Sequence, residues 1–431
     1  MVAVMIQAMP FHGHVAPLAE VARAFISAGH DVRAYTGSAH ADAFQRVGAE
    51  VVRWRAAPDF DEHDVAATFP RLVGRKGPAQ MLRNVEDLFV RTADGQVQDL
   101  LAEYAERPWD VIVADELSLG AGLASELTGT HWATVAITPL ALQSRDLPPI
   151  GIGLRPGRGP LGRTRDAALR RIVPRLTAAL QRAYDEQRRG LGLPPGVRAF
   201  AEAGFSTELV CATGVPELDW PRSDLPDSVA WVGALAPAGA SGLALPPWWD
   251  ELVADPRPIA LVTQGTQNTD PDDLVAPAFA ALGRQDVQVV ATTGRADAAG
   301  FPFAAPPNAR VAPVVPFGDL LPRTDVVVTN GGWGGVLAAL AHGLPVVVAG
   351  GDLDKPEVAA RVRAAGAGIS LGTGQPTPRQ VLGAWRRVRD DPGYRDAARR
   401  IAARLAEHDG PAEVVEHVAR LAETPQPSER R

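Results

Sequence analysis

Residues 325–348 read DVVVTNGGWGGVLAALAHGLPVVV. The β-branched run at 325–329 meets a glycine-rich turn, a helical stretch follows over 334–342, and 345–348 is a second apolar run. Short apolar runs bounded by turn residues read as buried strands. The helix between them is the crossover that parallel strands need. The stretch is one strand–helix–strand unit of a parallel α/β sheet.

The unit recurs outward in both directions. Before it lie apolar strands at 259–263, 287–292 and 311–314, with a helix over 273–282; after it, 377–421 is helical and the tail TPQPSERR is expected to be disordered. The other half opens with a strand at 2–8, a helix over 15–28 ended by Gly29, a strand at 32–35, a helix over 41–47 and a strand at 50–54. A long helical pattern runs from Met81 to Tyr104 with Gly95 as a break. Further strands are expected at 110–114, 133–137, 208–211 and 230–232, with a loop over 148–162 and a helix over 170–190. Between the halves, residues 234–247 (ALAPAGASGLALPP) are small, uncharged and rich in Pro and Gly, the composition of a linker. The expected organisation is a first Rossmann-like domain over 1–233, a linker over 234–247, a second over 248–408, and a helix with a tail over 409–431. The fold class is α/β, with two such domains facing across a central cleft.

Composition narrows the function classes. The 431 residues are 46% hydrophobic and 22% charged, with a net charge of −7, which argues against a general basic surface for nucleic acid. Cys211 is the one cysteine, so no internal disulfide can form, and a reducing cytoplasm is the expected setting. The opening MVAVMIQAMPFHGH has no basic n-region, so no signal peptide is expected, and no apolar run reaches the roughly 18 residues of a membrane helix.

Candidate site residues follow strands, where ligands of open α/β sheets bind. Pro10 to Pro17 (PFHGHVAP) puts His12 and His14 beside a helix N-terminus, where a histidine serves as a general base near neutral pH or simply packs beneath the helix. Asp115 follows the strand at 111–114 and can orient such a base or cap the next helix. Asn330-Gly331-Gly332-Trp333-Gly334-Gly335 has four glycines in six residues, more than one turn requires, so backbone amides aimed at a diphosphate are the favoured reading. It lacks the Gly-Lys-Ser/Thr of a Walker loop. Asp352 and Asp354, in GGDLDKPE, can hold a metal, bind sugar hydroxyls or cap a helix, and nothing nearby completes an oxygen cage for a metal. Thr266 can offer a hydroxyl to a phosphate. Seven arginines between Arg155 and Arg175, opposed only by Asp166, read as an exposed basic loop, or as a lid over an anionic acceptor.

In this order and spacing the five sites resemble inverting glycosyltransferases of the GT-B fold, above all the bacterial enzymes that glycosylate macrolides and other antibiotics, with plant and animal UDP-glycosyltransferases more distant. The likeness covers nearly the whole chain. Gly13-His14-Val15-Ala16-Pro17 matches the family's G-H-[VI]-x-P opening, which implies that His14 is the base and Asp115 its orienting carboxylate. The resemblance also implies donor contacts from Thr266, from Val315 in the segment that holds the nucleotide base, from Asn330, Gly331, Gly332, Trp333, Gly334 and Gly335 to the diphosphate, and from Asp354 and Lys355 to sugar hydroxyls. Asp352 is then incidental. It implies no metal and no cofactor, a nucleotide diphosphate sugar as co-substrate, and a small apolar hydroxylated acceptor. The family's loop histidine is Asn330 here, its loop Thr/Ser is Gly335, its ribose-binding acid is Ala338, its stacking tryptophan is Val314 and its sugar-binding glutamine is Lys355. Two readings of other classes stand beside this one: a degenerate nucleotide-sugar-binding homologue acting as an auxiliary partner, and a sugar-nucleotide 2-epimerase.

Overall fold

The computed structural model describes residues 1–72, 78–196, 198–235, 244–265, 270–294 and 298–426. Most of the expected linker, and Thr266, lie outside the described residues. In the first half, β1 (Ala3–Gln7), β2 (Asp31–Thr36), β3 (Glu50–Arg53), β4 (Val111–Asp115), β5 (His131–Ala136), β6 (Val210–Ala212) and β7 (Val229–Trp231) form one sheet in the order β3-β2-β1-β4-β5-β6-β7. In the second half, β8 (Ile259–Thr263), β9 (Gln288–Thr292), β10 (Ala309–Ala312), β11 (Val326–Thr329), β12 (Val346–Val348) and β13 (Gly368–Ser370) form another, in the order β10-β9-β8-β11-β12-β13. The pairings within both sheets are parallel. Both orders reverse beside their first strand, the doubly wound topology whose crevice at the reversal receives ligands. The α/β class with two Rossmann-like domains is therefore what the chain adopts.

Both faces of each sheet are covered, which is why the strands read as continuous apolar runs. Val326, Val328 and Val347 pack with the Val275–Leu282 helix, while Val327, Val346 and Val348 pack with the Trp333–Ala341 helix on the other face. The last helix, Gly410–Ala422, returns to the first half: Val414 and Val418 join Val4, Val15 and Leu18 in one core. Beyond it, the Thr424 carbonyl lies 3.0 Å from His131 Nε2. No helix among the described residues is long and apolar enough to cross a membrane.

Three local expectations need correction. The break in the long helical pattern falls at Arg91 and Thr92, after a π-helical turn over Glu86–Val90; Gly95 lies inside the Ala93–Glu106 helix. Its role is packing, because a Cβ there would come within 2.6 Å of the Ala56 carbonyl oxygen and Ala57 Cα. The arginine-rich segment is not a loop. Gly159–Leu176 is an 18-residue helix with a proline in its first turn, whose single buried residue, Asp166, accepts the Gly157 amide at 2.7 Å and pairs with Arg165. Pro174 sits in the last turn of that helix, and Thr177 separates it from the Ala178–Gly190 helix. The sequence reading also passed over β13, which has three residues and begins with a glycine.

Candidate active site

β1 and β4 are neighbours with Gln7 opposite Ala114, so the turn after β1 and the last residue of β4 share one rim. Asp115 ends β4 fully buried. Its Oδ2 accepts the Met9 amide at 2.8 Å and the Ser118 hydroxyl at 2.7 Å, and its Oδ1 accepts the Leu117 amide at 2.9 Å. The same Oδ1 lies 3.0 Å from His14 Nδ1. Asp115 does not cap the following helix, whose N-cap is Leu119. A carboxylate oxygen that close to Nδ1 favours the neutral tautomer with its proton on Nδ1, which leaves Nε2 as the basic atom.

Burial pulls the His14 pKa down, but the charge of Asp115 and its hydrogen bond outweigh it, with Glu116 and Asp354 adding, so the imidazole titrates above its ordinary value. Burial pushes Asp115 up, yet His14 and the Met9 and Ser118 hydrogen bonds hold it below the usual carboxylate range. Glu116, which the sequence reading did not single out, is also buried; burial and the neighbouring Asp115 raise its pKa. It accepts the Ile137 and Thr138 amides, each at 3.0 Å, and so fixes the chain as it leaves β5. His12 takes no part in this cluster. Its amide donates to Glu62 Oε1 at 3.0 Å, and burial lowers its ring pKa. Phe11 lies 5.7 Å from the His14 ring and begins an aromatic wall with Phe60 and Phe89 at 5.3 and 6.0 Å.

The second domain repeats this logic at its own reversal, where Thr263 at the end of β8 pairs with Thr329 at the end of β11. Asn330 follows, 5% exposed; its Nδ2 donates to the Gln264 carbonyl, while its Oδ1 has no hydrogen-bond partner among the described residues. Gly331 has φ +96°, and a Cβ there would lie 2.7 Å from Val348 Cγ1, so only glycine fits. The Trp333–Ala341 helix starts with no side-chain cap and no acid in its first turn. A Cβ at Gly332, Gly334 or Gly335 would meet open space. These features leave helix N-terminal amides and the positive end of the dipole open to an anion.

Not every candidate side chain turns toward this opening. The Trp333 indole is buried, and its Nε1 donates to Thr213 Oγ1 at 2.9 Å in the other half of the chain. Only its backbone faces the turn. Val315 is 2% exposed within the core beside Trp249 and Leu320, whereas Val314 is 46% exposed. Lys355 Nζ donates to Asp352 Oδ1 at 2.7 Å, so Asp352 is the lysine's partner. Asp354 stands half-buried at the start of the Lys355–Ala364 helix; burial raises its pKa, and its charge and that of His14 act on each other. The backbone before it is strained: Leu353 has φ +52°, in the left-handed region that leucine rarely adopts. Ala338 offers no carboxylate and packs against the core.

A buried histidine–aspartate pair thus stands on the rim of one Rossmann-like sheet, and an uncapped glycine turn stands on the rim of the other. Comparison with known proteins gives the family. Residues 276–421 match the erythromycin biosynthesis protein CIII-like C-terminal domain family. The sequence is 39% identical to 4'-demethylrebeccamycin synthase of Lentzea aerocolonigenes over 97% of this chain and 99% of that protein. It is 31% identical to UDP-glycosyltransferase 2 of Phaeomoniella chlamydospora over 97% and 95%. In fold it is similar to the kitacinnamycin glycotransferase, with TM-score 0.74, 23% identity and coverage of 97% and 98%. The calicheamicin glycosyltransferase CalG4 is similar too, at 0.71, 19%, and 97% and 98%. The chain belongs to the antibiotic and natural-product glycosyltransferases of the GT-B superfamily.

Proposed function

We propose that the protein is a metal-independent, inverting glycosyltransferase that moves a sugar from a UDP- or dTDP-linked donor to a hydroxyl of a small apolar natural product. The observation that carries this reading is the 3.0 Å contact between His14 Nδ1 and Asp115 Oδ1 on the rim of the first sheet. His14 Nε2 takes the proton of the acceptor hydroxyl as the oxygen forms its bond to the anomeric carbon. The bond from that carbon to the diphosphate breaks, and its electron pair leaves with the nucleotide diphosphate. Attack and departure on opposite faces invert the configuration, with no covalent intermediate. Asp115 stabilises the imidazolium. Backbone amides at the start of the Trp333–Ala341 helix, with Asn330 and Gly331 to Gly335, take the charge that develops on the diphosphate. Thr266 adds a hydroxyl to the phosphates, the segment at Val315 holds the base with its backbone, and Asp354 and Lys355 bind sugar hydroxyls.

The donor class draws support from similar proteins: glycosyltransferase VinC was solved in complex with dTDP, SsfS6 with thymidine diphosphate, and relatives by sequence are named UDP-glycosyltransferase or UDP-glucosyltransferase. The acceptor class draws support from the aromatic wall at Phe11, Phe60 and Phe89. A single buried cysteine, whose thiol burial pushes up to about 12, suits a reducing cytoplasm. Calorimetric titration with UDP, dTDP and GDP tests the donor half of the reading. Binding of UDP or dTDP is expected; binding of none contradicts it.

A further inference from the structure

Glu357 lies in the first turn of the Lys355–Ala364 helix, three residues after Asp354. An acid there ordinarily answers the helix dipole in solvent. This one is buried, and its Oε1 accepts two amides from the first half of the chain, Gly151 at 3.0 Å and Gly153 at 2.8 Å. Both glycines have positive φ, +98° and +64°, so the loop coils its amides around a single oxygen, as in an anion-binding nest. The fit is close, because a Cβ on Gly153 would come within 2.6 Å of Pro356 Cβ.

The other carboxylate oxygen continues the chain of contacts. Glu357 Oε2 accepts from Arg361 Nη1 at 2.5 Å, and Arg361 Nη2 donates to Asp219 Oδ1 at 3.2 Å. Asp219 Oδ2 accepts from Arg222 Nη2 at 2.7 Å, and Arg222 Nη1 donates to the Leu142 carbonyl at 2.7 Å. Arg361 and Arg222 also reach the Leu140 carbonyl, at 3.5 and 3.3 Å. Glu357, Arg361, Asp219 and Arg222 have side chains no more than 6% exposed. Charges so buried are costly unless each is paired, and here each is. The network runs from the helix that carries Asp354 to the two loop segments, 140–142 and 151–153, beyond β5.

We propose that Glu357 is a positioning residue. It clasps the 140–158 wall of the first domain to the sugar-side turn of the second, so that the acceptor hydroxyl and the donor carbon are held at reacting distance. The catalytic consequence rests on the glycosyltransfer reading; the clasp itself does not. Reacting groups displaced by about 1 Å lose up to about a hundredfold in rate, so a loosened clasp acts on turnover more than on donor binding.

Two variants reach the contact from opposite sides. Glu357→Gln removes the charge that Arg361 and the glycine amides share, and Gly153→Ala drives a methyl into Pro356 while leaving the Glu357–Arg361 pair intact. Hydrogen–deuterium exchange of the peptide over 148–158, in the ligand-free protein, is expected to quicken at least about fivefold in each. Transfer to acceptor is expected to lose about tenfold in kcat, with donor KM and nucleotide Kd within about twofold of wild type. The double variant is expected to be no worse than the poorer single one, because both break one contact. Unchanged exchange in both variants overturns the clasp whatever the activity. Parallel losses in kcat, donor KM and thermal midpoint, or losses that multiply in the double variant, overturn the positioning role. A wild-type protein that transfers no sugar defeats the glycosyltransfer reading alone, since the exchange measurement needs no substrate.

Discussion

Trp333 Nε1 donates to Thr213 Oγ1 at 2.9 Å, so the tryptophan of the glycine turn pegs the second domain to the first. Its indole also lies against Gly214, where a Cβ would come within 2.9 Å of the ring. Trp333→Phe should therefore cost about 1–2 kcal/mol in denaturant unfolding, a buried hydrogen bond plus lost packing. Nucleotide affinity should stay within about twofold. A tenfold weakening of nucleotide binding with unchanged stability points instead to an indole that contacts donor.

His14→Ala removes the ring in contact with Asp115. General-base catalysis is worth about 10²–10⁴-fold, so kcat should fall by that factor while nucleotide binding, measured by calorimetry, is retained.

The pH dependence follows from the direction of the His14 shift. A histidine acting as the proposed base works only when unprotonated, and the His14 pKa in the free protein is raised, so the acid limb of kcat/KM should lie above the 6.5 of an ordinary histidine. In Asp115→Asn the main raising influence is gone and burial, which lowers the pKa, remains. The limb should move to lower pH even as the plateau drops. A limb that stays in place shows that another group controls it.

Asn330→Asp keeps the size of a buried side chain but exchanges its donor for a carboxylate beside the amides proposed to hold the diphosphate. Kd for UDP or dTDP should rise at least about tenfold, the cost of one charged hydrogen bond lost and a repulsion gained. An unchanged Kd places the diphosphate elsewhere.

The strands were legible because parallel sheets bury both faces, so Val326 to Val328 and Val346 to Val348 carry no polar interruption. The places of His14, Asp115 and Asn330 are legible for a related reason: each follows or ends a strand of a parallel sheet, where ligands of such sheets bind. Directions of side chains were not legible. Whether Trp333 faces a ligand or a neighbour depends on Thr213, 120 positions earlier. Glu357 looks in the sequence like any first-turn acid, and its partner amide at Gly151 is 206 positions away. Asp352 reads as incidental because the family's sugar-binding pair falls on Asp354 and Lys355; its ion pair with Lys355, three residues on, is a side-chain direction that the motif does not carry. The arginine-rich helix hid behind its charge, since an 18-residue helix with one buried residue has no apolar stripe to read.

The most direct test of the account is the stereochemical course of transfer. The protein is incubated with α-linked UDP- and dTDP-sugars and a panel of apolar hydroxylated acceptors, the anomeric configuration of the product is read by NMR, and the rate is compared with that of His14→Ala. The account predicts a β-linked product, released with one equivalent of nucleoside diphosphate, and a loss of at least about a hundredfold in the variant. An α-linked product, or a His14→Ala protein that turns over at the wild-type rate, contradicts it.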